Sequence, residues 1–144
     1  MPAADTRPMA DGGAISVFEL AGGLGAPAAA RRAVRSALEG LVDDEALEVV
    51  VLLASEVATN AIVRDGPGLV LTVEVDPVTV VVTVADSRPD APALTGLARA
   101  VVDDLDLSWG AHVHRSGKAV WFSVPVGLDL TSTEAPSEPG TVLS

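Results

Sequence analysis

The sequence predicts an α+β fold: a two-layer α/β sandwich with helices on one face of a mostly antiparallel mixed sheet. Three observations carry the prediction. The apolar patterns run in the order β-α-α-β-β-α-β-β, which suits helices laid on one side of a sheet. The strands come in neighbouring Val-rich pairs joined by short turns, as hairpins do. Neither GxGxxG nor a Walker lysine loop is present, so the common phosphate cradles of doubly wound parallel sheets are missing.

Each element has its local reason. Residues 1–13 are small, polar and rich in Gly and Pro, and read as a flexible N-terminus. "AISVFEL" alternates as a strand, and "AGGLGAP" breaks it. Residues 27–40 read as a helix with Pro near its start and Gly40 as its stop. A second helix over 43–66 opens on acids, which favour the positive end of the helix dipole, and closes at Gly66. Residues 68–76 and 78–86 form a hairpin around Asp76-Pro77. "SRPDAPALTG" is a loop, and a third helix follows over 96–107 with an acidic outer face. "SWGAHVHR" and "KAVWFSVPV" are the last strand pair, turning at Ser116-Gly117. Residues 127–144, rich in Ser, Thr, Glu and Pro, read as a disordered tail. One domain therefore spans 14–126.

Composition narrows the function. With 49% hydrophobic and 20% charged residues, 144 residues are enough to bury a core. Aromatics are 3%, so Val, Leu and Ala must build that core. A net charge of −11 opposes binding to phosphate backbones or anionic membranes, so neither nucleic acid nor membrane is an expected partner. Cysteine is absent, which excludes disulfides and thiolate metal sites. The start lacks the basic and apolar segments of a signal peptide, and no apolar run approaches a membrane span, so a cytoplasmic protein is expected.

Candidate chemistry centres on "LLASEVATNAIVRDG", an apolar helix that carries Glu56 and Asn60 one turn apart. At i and i+4 they share a face. They form either a polar flank, or a pair of oxygen donors for a hard cation such as magnesium, or a base beside a nucleophile. Asp86 ends a strand, as a turn residue or as an acceptor for an exocyclic amine. Gly96 opens the third helix, as turn chemistry or as an anion site on backbone amides. His112 and His114 alternate on one strand without a third ligand. Asp103, Asp104 and Asp106 read as a solvated helix face. Trp109 and Trp121 read as packing residues.

The order of these features resembles the histidine-kinase-like ATPase family, the Bergerat fold, and within it the small bacterial anti-sigma factors with serine/threonine-kinase activity. "SEVATNAI" is similar to the family's N-box, which implies a general base at Glu56 and a magnesium ligand at Asn60. "VADSRPD" stands at the first glycine box, which implies an adenine-binding carboxylate at Asp86. "GLARAVVDDLDLSWG" resembles the second glycine box, with Gly96 at its first glycine, and "GKAVWFSVP" resembles the closing strand. The resemblance implies ATP and magnesium as cofactors. It also implies a sigma factor or an anti-sigma antagonist as partner, and it allows a homodimer. Arg88, Asp90 and Ala98 stand where the family has glycine, and Ala119 where it has threonine near the adenine. Side chains at such positions restrict the loop, so a catalytically inactive, nucleotide-independent protein-binding module on the same fold is the alternative.

Overall fold

The computed structural model describes residues 4–8, 13–61, 68–86, 96–115 and 117–128. Six strands and three helices occur among them, in the order β1 (Ala4–Pro8), β2 (Ala14–Leu20), α1 (Ala26–Leu38), α2 (Asp44–Ala61), β3 (Leu69–Val75), β4 (Thr79–Asp86), α3 (Gly96–Asp104), β5 (Ser108–His114) and β6 (Gly117–Pro125). The fold is the expected α+β sandwich. The strands form one sheet in the order β1-β2-β3-β4-β6-β5, and all five pairings are antiparallel.

Alternation along the strands sets the layers. Phe18 and Leu20 of β2, Leu71 and Val73 of β3, Val80, Val82 and Val84 of β4, and Val120, Phe122 and Val124 of β6 are buried. Their in-between neighbours Val17, Thr72, Thr83 and Trp121 are only partly covered and fall in one cross-strand row. A side-chain period of two thus separates a helix-covered face from a face without a helix layer. On the covered face α1 packs on β2 and β3, while α2 packs on β4 and β6 and lies between α1 and α3.

Backbone bonds fix the direction of travel. The Asp43 N–H donates to the Val126 carbonyl at 3.1 Å, and the Val126 N–H donates to the Val78 carbonyl at 2.9 Å. The start of α2 therefore sits at the end of the sheet where β4 begins and β6 finishes. α2 runs from there toward the opposite end, where β3 begins, β4 finishes and β6 begins. The β3–β4 turn itself is tied by Asp76, whose Oδ1 accepts from the N–H groups of Val78 and Thr79 at 2.7 and 2.8 Å.

Several boundaries differ from the sequence reading. Residues 4–8 lie within the segment expected to be flexible, yet they form β1 against β2. A strand edge offers a row of unmet backbone groups, and this pairing satisfies them whatever the side chains are. Gly127 and Leu128 fall in the segment that reads as a tail, but Leu128 is buried in the core, and residues 129–144 fall outside the described residues. The expected helix over 43–66 is seen to Ala61, with 62–67 also outside. The third helix stops at Asp104 because a Schellman closure follows: the Leu107 N–H donates to the Val102 carbonyl at 2.9 Å, and Asp106 takes φ 56°.

Asp106 occupies the left-handed position that glycine usually fills, and it adds a negative charge at the negative end of α3. Asp106→Gly removes both penalties and adds some backbone entropy cost. The expected outcome is a gain of about 0.5–1 kcal/mol, read from the midpoint of denaturant unfolding. A lowered midpoint would show that the carboxylate holds a stabilising contact instead.

Candidate functional site

The topology brings the sequence-predicted residues to one end of the molecule. The last turns of α2 carry Glu56 and Asn60, the end of β4 carries Asp86, and the start of α3 carries Gly96. α2 packs on α3, β4 and β6, so these segments are neighbours at the end where β6 begins. Glu56 is half-buried. Asn60 lies one turn later in the helix backbone, and its side chain is outside the described residues. Between them, the Thr59 hydroxyl donates to the Ser55 carbonyl at 2.7 Å, and the Ser55 hydroxyl donates to Leu52 at 3.0 Å. Both hydroxyls are turned back into the helix, a local bond that Ser and Thr make readily.

Asp86 is the most enclosed charged group described at this end. Its side chain is 3% exposed and lies against the Lys118 ammonium, itself 9% exposed, at 3.2 Å from Oδ2 and 3.4 Å from Oδ1. The pair is built by register, since Asp86 and Lys118 are directly opposed across β4 and β6. Lys118 is in phase with Val120, Phe122 and Val124, so its stem points into the helix-covered layer. Sequence reasoning did not single out Lys118. Its signal was available: a lysine at an inward position of "GKAVWFSVP" needs a buried counter-charge.

The remaining positions separate into two groups. Gly96 has φ +62°, a backbone state that a side chain would strain, and among the described residues a Cβ there would meet no atom within 4 Å. Ala98 is completely buried and with Val102 forms the buried side of α3. Its methyl is packing material between helices. Ala119 opposes Ala85 and His112 and alternates with Lys118, so it belongs to the face without helices. The inward position at this end of β6 is held by Lys118. Arg88 and Asp90 lie outside the described residues.

The lesser candidates resolve simply. His112 is exposed, while the His114 side chain is not described. Asp103, Asp104 and Asp106 are exposed, and Asp103 accepts from Arg99 at 3.1 Å. Among the described residues no group of three or more His, Cys, Asp or Glu could hold a metal ion. Trp109 packs against the core and carries Arg99 over its ring at 5.5 Å. Trp121 lies across Gly110, where an added Cβ would meet the indole at 2.6 Å. No helix among the described residues is long and apolar enough to cross a membrane.

No protein-family model matches the chain, and no curated protein matches it in sequence.

Removing one half of a buried ion pair strands the other charge. Lys118→Met and Asp86→Asn are each expected to lower stability by about 3–5 kcal/mol. The double variant should lose less than the sum. A double-mutant cycle by denaturant unfolding measures the coupling, and additive losses would mean that the two groups do not act as a pair.

Proposed function

We propose that this protein is an ATP-binding regulator that binds a sigma factor or phosphorylates an anti-sigma antagonist. The observation that supports it most is the buried Asp86 carboxylate at the end of a central strand, at the same end as the Glu56–Asn60 turn and the start of α3. A buried acceptor at a strand end is suited to an exocyclic amine, and adenine carries one. Lys118 holds that carboxylate in place. The helix start at Gly96 offers backbone N–H groups to phosphate oxygens. Glu56, half-buried and one turn before Asn60, is suited to take the proton from a partner's serine or threonine hydroxyl as that oxygen bonds to the γ-phosphorus and the bond to the β–γ bridging oxygen breaks, releasing ADP. By sequence Glu56 and Asn60 can offer a carboxylate and a carboxamide oxygen, a donor type that suits magnesium, and Asn60 would be its protein ligand. When bound, magnesium supplies charge neutralisation on the phosphates.

A second reading rests on specific observations as well. Lys118 already engages the Asp86 carboxylate, and Ala98 is fully packed, so the same fold also serves as a nucleotide-independent protein-binding module.

Calorimetry of the full chain with ATP and magnesium discriminates the two. Weak binding is expected in the wild type and none in Asp86→Asn. Glu56→Gln should keep ATP affinity within a few-fold and lower labelled-phosphate transfer to a partner by about 10²–10⁴. Absence of heat at millimolar nucleotide would leave the binding-module reading in place, and equal transfer by wild type and Glu56→Gln would remove Glu56 from the chemistry.

A further inference from the structure

The two edges of the sheet are built differently. β1 forms one edge, and within five residues it carries Asp5, Arg7 and Pro8, the charges and proline that discourage further strand pairing. β5 forms the other edge, and its seven residues include no Asp, Glu, Lys, Arg or Pro. Its register against β6 runs unbroken from Ser108↔Ser123 to His114↔Gly117, so no bulge bends this edge away. Among the described residues β5 pairs with β6 alone. In an antiparallel ladder alternate residues then aim their N–H and C=O groups outward. Ala111, His112 and Val113 are exposed on this strand. Charge also has a direction along the segment: the exposed Asp104 and Asp106 precede β5, and the exposed Arg115 follows it.

We infer that β5 is a dimerisation edge, where a second copy of this chain adds its own β5 antiparallel about a two-fold axis at Ala111. One sheet then continues through both copies, with a self-complementary contact. Charge and symmetry select this occupant. In that register Ser108 of one copy opposes His114 of the other. Arg115 of each copy comes to the start of the other's strand, beside Asp106. The acidic end of the segment thus meets the basic end twice, and opposite charges set across neighbouring strands attract. No carboxylate opposes another within the paired strands, although the whole chain carries −11. Ala111 against Ala111 leaves no bulk on the axis. A neutral extended peptide of another protein would fill the backbone bonds but leave both charged ends unmatched. The inference does not rest on nucleotide, because pairing at this edge uses none of Glu56, Asn60, Asp86 and Gly96.

The test uses the full chain without nucleotide, followed by sedimentation velocity and amide hydrogen exchange. The wild type is expected to dimerise reversibly, with β5 amides exchanging more slowly as concentration rises. Arg115→Glu should weaken dimerisation about tenfold, because two-fold symmetry applies the charge reversal twice. Residues directly opposed in an antiparallel pair have Cα atoms about 4.5–5.5 Å apart, inside the about 4.4–6.8 Å that a disulfide spans. The chain contains no cysteine, so Ala111→Cys should oxidise to a covalently linked dimer. Val78→Cys, 71% exposed in the β3–β4 turn, should not link. A wild type that is monomeric at every concentration overturns the proposal. So does a dimer that Arg115→Glu leaves intact or that Ala111→Cys fails to link, since the contact then lies on another surface. Slow β5 amides at every concentration in a monomer would assign the edge to the chain's own residues, and that result also overturns the inference.

Discussion

Helix α2 must hide apolar side chains on nearly its whole circumference, and the helical layer is arranged to let it. Val50, Leu53, Ala54, Val57 and Ala58 are buried, and so are Val49 and Val51 on its flanks. A helix this apolar is stable only where neighbours surround it. β4 and β6 lie beneath it, α1 covers one side and α3 the other. Each depends on α2 in return. α1 is an alanine-rich helix whose buried residues are Ala26, Ala30, Ala33, Val34 and Leu38, and α3 buries only Ala98 and Val102 in nine residues. Small side chains let both approach α2 closely. Neither has apolar area enough to form a stable helix without that support.

The same packing explains why polar groups at the far end matter. Once α2 and α3 close over the sheet, the last residues of β4 and the first of β6 lose their water. A lone charge there would be costly, and register solves the problem by setting Lys118 opposite Asp86. The pair is thus a product of sheet geometry. Its position follows from that geometry, because both residues sit in paired strands.

Much of this was legible in the sequence, since periodicity dictates it. The alternation in "LVLTVEV" and "TVVVTVAD" marks the hairpin and its buried face, and the acids before "ALEVVVLL" mark the start of α2. Glu56, Asp86 and Gly96 were visible as polar or glycine interruptions of apolar patterns. What escaped depends on pairing between distant segments. β1 owes its form to the edge of β2, Leu128 is buried by core contacts that its neighbours Gly127 and Asp129 do not announce, and Lys118 acquires meaning only when β6 is laid beside β4. The end of α3 escaped because Asp106 stands where glycine would have advertised the stop. The purely antiparallel sheet likewise emerges only from strand order.

The chain contains two tryptophans and no tyrosine, and neighbouring strands place them on opposite sides of the sheet. Trp109 of β5 lies in the helix layer beneath Arg99 of α3, whereas Trp121 of β6 lies flat over Gly110 on the face without helices. Its near-ultraviolet emission and dichroism therefore come from two indoles with separate surroundings and no tyrosine background. Light from one follows the seating of α3, and light from the other follows whatever touches the open side of the sheet. Replacing either indole with phenylalanine turns the protein into its own single-colour gauge, with the position of the remaining emitter known beforehand.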